Sequence, residues 1–149
     1  NEILTESLKL REYDLRVSNI DVRTSLADDL PETFVDPYQL QQVFINLINN
    51  ARDALAGQEQ AALVIRSYRK DGLLLVEFED NGPGIPDDLI NRIFDPFFTT
   101  KHESGEHEGT GLGLTIVHQI IQEHHGEIRV KSSVGVGTTF FVSLPALPA

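Results

Sequence analysis

The sequence contains no cysteine, no methionine and no tryptophan. Without cysteine there is no disulfide framework, no thiol nucleophile and no cysteine-ligated zinc or iron–sulfur centre. Methionine is missing even at the first position, which we read as the mark of a piece of a longer protein. Basic residues are scarce, 12 Lys and Arg against 23 Asp and Glu, for a net charge of −11. Such a chain lacks the basic stripe of a nucleic-acid binder and the basic amphipathic face of a membrane-surface helix. No apolar run approaches the roughly 20 residues that span a bilayer, and no signal-peptide pattern opens the sequence. A cytoplasmic setting without direct membrane contact is therefore expected. What is present is ordinary for a globular protein: 149 residues, 40% hydrophobic and 23% charged, enough for one domain with a substantial core.

The periodicities predict an α+β chain. Residues 1–19 place Ile3, Leu4, Leu8 and Leu15 on one helical face, with Leu10 and Val17 off it. Residues 20–26 alternate apolar and polar, as a half-buried strand does. Residues 33–35 read as a very short strand. Asp36-Pro37 is a helix start, an N-cap followed by proline at the first helical position. From there Leu40, Val43, Phe44, Leu47, Ile48, Ala51 and Leu55 keep helical spacing, with Gly57 as the stop. Residues 63–69 and 73–80 read as strands joined by a short loop carrying Gly72, and the unbroken run Leu73–Val76 suggests cover on both faces. A helix over 114–125, stopped by Gly126, precedes strands at 127–132 and 138–144 joined by a turn at 134–137. Runs of antiparallel strands with helices to one side predict a two-layer sandwich.

Four features stand out against this frame. Asn46 and Asn50 stack one turn apart along a border of the apolar stripe, with Asp53 a turn beyond. Such a column is either a solvated face or a place where oxygen ligands meet a hard cation and the phosphates it carries. Asp80 closes an apolar strand and leads into Asn81-Gly82-Pro83-Gly84-Ile85-Pro86. This is either an Asx-type turn or a carboxylate placed to accept a hydrogen bond from a ligand such as an adenine amino group. Gly109-Thr110-Gly111-Leu112-Gly113-Leu114 opens directly into a helix, where backbone N–H groups attract anions. It matches neither the P-loop nor the dinucleotide fingerprint. Between the glycine segments, Phe94, Phe97 and Phe98 would anchor a loop or close over a ligand, and Lys101 is the nearest cation for an outer phosphate. His102, Glu103, Glu106, His107 and Glu108 read as a solvated tip, since no helical His spacing frames a metal.

Taken in order, Asn46 to Ala54, Asp80 to Ile85, Ile93 to Lys101 and Gly109 to Leu114 closely resemble the catalytic ATP-binding domain of sensor histidine kinases. That domain belongs to the GHKL superfamily, with gyrase-type topoisomerases, ninety-kilodalton heat-shock chaperones and MutL-like repair ATPases. The terminal Gly135-x-Gly137-Thr138-Thr139-Phe140 hairpin fits the same pattern. The Asn-Ala-Arg-Asp-Ala and Phe-Phe-Thr-Thr-Lys segments are most similar to the nitrogen- and dicarboxylate-sensing branch.

The resemblance implies a Bergerat-type fold, a mixed and mostly antiparallel sheet with helices on one face and a flexible ATP lid. Residues 20–145 would form the ATP-binding domain, with the lid at about 87–110. Residues 1–19 would be the end of an upstream helical domain or the first helix, and 146–149 a tail. ATP and Mg²⁺ are the implied cofactors. Asn50 would be the metal ligand, Asn46 its support one turn earlier, and Asp80 the adenine-reading carboxylate. Gly82, Gly84 and Ile85 would shape the base pocket. Thr110, Gly111, Leu112, Gly113 and Leu114 would meet the phosphates, Lys101 would be the lid cation, and Thr138 would sit near adenine. Asp53 stands where several relatives carry Lys, so its role stays open between sugar and phosphate.

Hydrolytic members of the superfamily carry a Glu one turn before the metal Asn. Here that position is Asn46, and an amide is no general base. The implied chemistry is therefore transfer of the γ-phosphoryl group to a histidine on a separate dimerisation domain, and from there to a response regulator, within a homodimeric parent. None of the five histidines here has the expected acceptor context. The alternatives are a GHKL-type ATPase and a degenerate nucleotide-binding scaffold.

Overall fold

Asp36 caps the longest helix: its Oδ1 accepts hydrogen bonds from the N–H groups of Tyr38 (2.9 Å) and Gln39 (3.1 Å), with Pro37 at the first helical position. In the computed structural model, which describes residues 1–95 and 113–147, this helix is α2, Pro37–Ala54. It follows α1 (Glu2–Val17) and β1 (Asp21–Leu26), and precedes β2 (Ala62–Lys70), β3 (Leu73–Asp80), the single turn α3 (Asp87–Ile90), α4 (Gly113–Glu123), β4 (Glu127–Ser133) and β5 (Gly137–Pro145).

All seven apolar positions expected of the long helix, Leu40 to Leu55, are buried. The helix ends earlier than Gly57 implied. Leu55 is its cap, and Gly57 lies in the turn beyond, at φ +74°.

The strands form one sheet in the order β1-β2-β3-β5-β4. β1 runs parallel to β2, with α2 as the crossover, and the other pairs are antiparallel. Leu63 and Ile65 of β2, Leu74, Val76 and Phe78 of β3, and Phe140, Val142 and Leu144 of β5 point to the helical side and share one core with α1, α2 and α4. α1 packs on α2 and contributes Leu4 and Leu15 to that core. The architecture is a mixed sheet with helices over one face, the α+β two-layer sandwich the patterning implies. None of the described helices is long and apolar enough to cross a membrane.

Two expectations fail. Residues 33–35 are not a strand. The segment runs beside the end of β5, held by Thr33 Oγ1 donating to Pro145 O (2.7 Å) and Leu147 N–H donating to Glu32 O (2.7 Å), without a ladder. The run Leu73–Val76 is not covered on both faces. Leu74 and Val76 are buried, but Leu73 is 38% exposed and Leu75 half-buried, because among the described residues no helix lies over the other side of β3.

The end of α4 is fastened to the start of α2. His124 Nε2 accepts the N–H of Asp36 at 3.1 Å, and its Nδ1 lies 2.8 Å from Ile120 O. Since a carbonyl only accepts, the ring proton sits on Nδ1. His125, not Gly126, takes the left-handed conformation there, at φ +60°. Gly126 is required by space, because a Cβ would collide with Ser143 O.

Candidate functional site

Asp80 is 5% exposed at the end of β3, on the core side of the sheet. Two backbone N–H groups, those of Gly82 and Thr138, donate to its carboxylate, the first at 2.9 Å. Burial pushes its pKa up, and the two hydrogen bonds pull against that. The turn is thus an Asx-type turn and, at the same time, a desolvated carboxylate at the edge of the fold.

Two glycine turns interlock around it. Gly84 stands at φ +82°, and a Cβ there would collide with Ser133 O at the end of β4. Gly137 stands at φ +150°, and a Cβ there would collide with Asp80 O. Gly135 N–H donates to Pro83 O at 2.9 Å and closes the contact. These two glycines let the backbones of separate segments touch where any side chain would part them. Gly82 faces the other way, toward α2. A Cβ on it would lie 2.9 Å from Asp80 Oδ1 and 3.2 Å from Ala54 O.

That last contact orients the asparagine column. Asn46, Asn50 and Ala54 follow one another at i, i+4 and i+8 on α2, so they lie nearly in line along one face. The line runs directly to the Gly82 turn, and so to Asp80. Asn46, Asn50 and Asp53 are all half-buried, neither core nor free surface. Asn49 Oδ1, beside them, is buried with no hydrogen-bond partner among the described residues. Arg52 reaches Asp14 Oδ2 on α1 (3.3 Å) and Asp53 Oδ1 (3.6 Å), which ties α1 to the edge of this column. The donor set on α2 is oxygen and small. It suits Mg²⁺ carried by phosphates, which keeps most of its waters, rather than a cation caged by protein alone. Among the described residues no group of three His, Asp or Glu side chains frames a metal.

Thr138, 6% exposed, opens β5 as the register partner of Asp80 on one side and of Ser132 on the other. Ser132 Oγ accepts the N–H of Ile85 at 2.7 Å, lies 3.0 Å from Gly137 O and 2.8 Å from Thr138 Oγ1. One hydroxyl therefore binds the Asp80 turn, the hairpin and β5 together. Sequence reasoning missed Ser132. The available signal was its phase on β4, where Ile128 and Val130 place position 132 on the inward side. Asn81 was missed as well. It accepts Ala62 N–H (2.8 Å) and donates to Gln60 O (2.9 Å), which holds the end of β3 to the start of β2.

The structure thus brings Asp80, Gly82, Gly84, Ile85 and Thr138 together where β3 and β5 meet the end of β4, with Ala54 of α2 against Gly82 and Asn50 and Asn46 one and two turns back along that helix. Gly113 and Leu114 begin α4. Phe94, from the segment before it, packs edge-on against Phe140 (6.5 Å between centroids) and beside His118 (5.4 Å), and its carbonyl accepts from Thr115 Oγ1 at 2.8 Å. This anchors one end of the expected lid. Phe97, Phe98, Lys101, Thr110, Gly111 and Leu112 lie outside the described residues.

Comparison with known proteins gives a consistent answer. The model of the family described as histidine kinase-, DNA gyrase B- and HSP90-like ATPases matches residues 35–148. Over 145 residues the chain is 41% identical to the sensor histidine kinase ZraS of Escherichia coli, covering 97% of this chain and 30% of that protein. Over 130 residues it is 45% identical to the sensory histidine kinase/phosphatase NtrB of Rhodobacter capsulatus, covering 80% of this chain and 35% of NtrB. The chain thus spans about a third of the length of these curated relatives. Among solved structures, the nucleotide-free catalytic domain of the histidine kinase ThkA superposes with a TM-score of 0.84 at 34% identity, covering 99% of this chain and 95% of that one. ThkA has also been solved in complex with the response regulator TrrA, where the match has a TM-score of 0.79 at 32% identity and covers 99% of this chain and 40% of that one.

Proposed function

Since the chain belongs to the family of histidine kinase-, DNA gyrase B- and HSP90-like ATPases, we propose that it is the ATP-binding catalytic part of a sensor histidine kinase. It takes Mg-ATP and donates the γ-phosphoryl group to a histidine on a separate dimerisation domain of its parent. A response regulator then accepts the phosphate. ThkA, which has a response-regulator complex, is the precedent for that last partner. The similarity to NtrB and the Asn-Ala-Arg-Asp-Ala segment favour the nitrogen-sensing branch.

Domains of this family bind ATP, and the residue assignments are our own. Asp80 accepts from the adenine amino group. Asn50 and Asn46 supply oxygen ligands to a Mg²⁺ that arrives on the phosphates and neutralises charge building on them during transfer. Gly113 and Leu114, at the start of α4, offer N–H groups to phosphate, with Thr110, Gly111, Leu112 and Lys101 completing that end. Asp53, paired with Arg52, lies beside the phosphates rather than the base.

The observation that carries the reading is the line Asn46–Asn50–Ala54 leading to the buried Asp80. It joins a column of amide oxygens to a base-reading carboxylate, with no carboxylate at position 46 to activate water. The test is phosphate release by the purified chain in saturating Mg-ATP, once calorimetry has established binding. Tight binding with negligible release is expected. Steady release abolished by Asn50→Ala would replace the transferase reading with that of an ATPase.

A further inference from the structure

We propose that Ser132 sets the base preference of this site by consuming the hydroxyl proton of Thr138, leaving that end of the site with acceptors only. It then takes a purine bearing an exocyclic amino group and rejects one with a carbonyl in that place. The inference rests on the ATP reading above and adds a specificity-determining residue to it.

A serine hydroxyl has one proton to give and two lone pairs. Among the described residues Ser132 Oγ has three neighbours in hydrogen-bond range. Ile85 N–H, at 2.7 Å, only donates. Gly137 O, at 3.0 Å, only accepts. Thr138 Oγ1, at 2.8 Å, does either. One arrangement satisfies all three. Ser132 gives its proton to Gly137 O and receives protons from Ile85 N–H and from the Thr138 hydroxyl. The reverse, with Ser132 donating to Thr138, withdraws that proton from Gly137 O.

In the satisfied arrangement the only hydroxyl proton of Thr138 points at Ser132. Toward a ligand, Thr138 Oγ1 offers lone pairs. Its register partner across β3–β5 is Asp80, whose ionised carboxylate is acceptor-only as well. Both residues are almost fully buried, at 6% and 5% exposure, so water does not readily repair a mismatch there. An amino group brings two N–H donors to two acceptors. A carbonyl oxygen in its place would face two acceptors. The adenine ring nitrogen beside the amino group is itself an acceptor and gains nothing from Thr138 here.

Ser132 touches no ligand in this account and acts through Thr138. It is a positioning residue, and its test needs a readout that loss of structure alone would not move. That readout is the ratio of affinities for ATP and inosine triphosphate, which differ in this group and in the proton that inosine carries on the adjacent ring nitrogen, measured by calorimetry with Mg²⁺ on the full chain. The wild type should favour ATP by about tenfold or more, the range for a polar group left unmatched in a buried site. Ser132→Ala frees the Thr138 hydroxyl to turn and donate to a carbonyl, so the ratio should fall about tenfold. Ser132→Thr, which keeps the hydroxyl, should keep the ratio. If Ser132→Ala weakens both nucleotides equally or leaves the ratio intact, Ser132 is only structural and the inference is overturned.

Should Ser132→Ala not fold, Thr138→Val decides the matter. It should weaken ATP and leave inosine triphosphate unchanged, whereas weakening of inosine triphosphate would mark Thr138 as a donor and overturn the inference. A wild-type chain that binds neither nucleotide would instead remove the ATP reading, and this inference with it.

Discussion

Asp80 and Thr138 face each other across the β3–β5 ladder, and the N–H of Thr138 is one of two backbone donors to the Asp80 carboxylate. A carboxylate is thereby held in a nearly dry position by backbone donors. Holding a carboxylate there costs stability.

The first prediction follows from the sign of that cost. Burial raises the pKa of Asp80 in the folded state, so the folded chain holds this proton more tightly than the unfolded one. The stability gained from protonation is complete below the ordinary carboxylate value of about 4 and is lost as pH rises through the raised value. At neutral pH the ionised Asp80 therefore destabilises the fold. Asp80→Asn should be as stable as wild type or more so at pH 7 in urea denaturation. Its advantage should shrink toward about pH 4, where wild-type Asp80 is protonated. The same variant should lose ATP affinity by about tenfold or more, because an amide presents donors where the base needs acceptors.

Backbone collision and backbone conformation separate cleanly in two glycines. Gly84 (φ +82°) and Gly135 (φ +81°) share a conformation that L side chains disfavour. Only Gly84 has backbone where a Cβ would go, since nothing lies within 4 Å of that point at Gly135. Gly135→Ala should cost about 1 kcal/mol. Gly84→Ala should cost more, about 2–4 kcal/mol, since the Ser133 end of β4 must also move. Equal losses in urea titrations would show that Ser133 gives way freely.

Capping supports the helix that carries the asparagines. Asp36→Ala removes both acceptor contacts at the start of α2 and should lower stability by about 1 kcal/mol. Asp36→Ser should recover most of that loss, which thermal denaturation of the three proteins will show.

Asn50 is assigned to the metal and Asp80 to the base, so their variants should differ in kind. Asn50→Ala should abolish the gain in ATP affinity on adding Mg²⁺, while affinity in chelator stays within about threefold of wild type. Asp80→Asn should lose affinity in both conditions. Calorimetry with and without Mg²⁺ separates the two. A uniform loss for Asn50→Ala would place that residue elsewhere in the site.

Much of this was legible in the chain because local signals agreed. For α2, cap, proline and apolar spacing all pointed to the same helix, and the seven apolar positions of that spacing are all buried. The hairpin of β2 and β3 was equally plain, with Asp71 (φ +53°) and Gly72 (φ +77°) making the turn. Where sequence reasoning failed, the deciding partner was distant. Residues 33–35 lack a ladder because their neighbour is the end of β5, over a hundred residues on. Leu73 and Leu75 look doubly buried in sequence, yet among the described residues no helix covers that side of β3. Ser132 is one of three adjacent polar positions, Lys131 to Ser133, until β4 is set against β5, when its hydroxyl meets Thr138. Asp80 was visible as a carboxylate at a strand end, but its burial depends on Gly82 backing onto Ala54.

The account's central claim is that this chain binds ATP in order to pass a phosphoryl group to a histidine held elsewhere. The direct measurement is label transfer from γ-labelled ATP to the histidine-bearing domain of the parent protein, mixed with this chain in Mg²⁺. The account predicts acid-labile label on that domain, lost with Asn50→Ala and absent when the acceptor histidine is replaced. Bound ATP with no label on the domain, or label released as free phosphate without passing through it, would contradict the account.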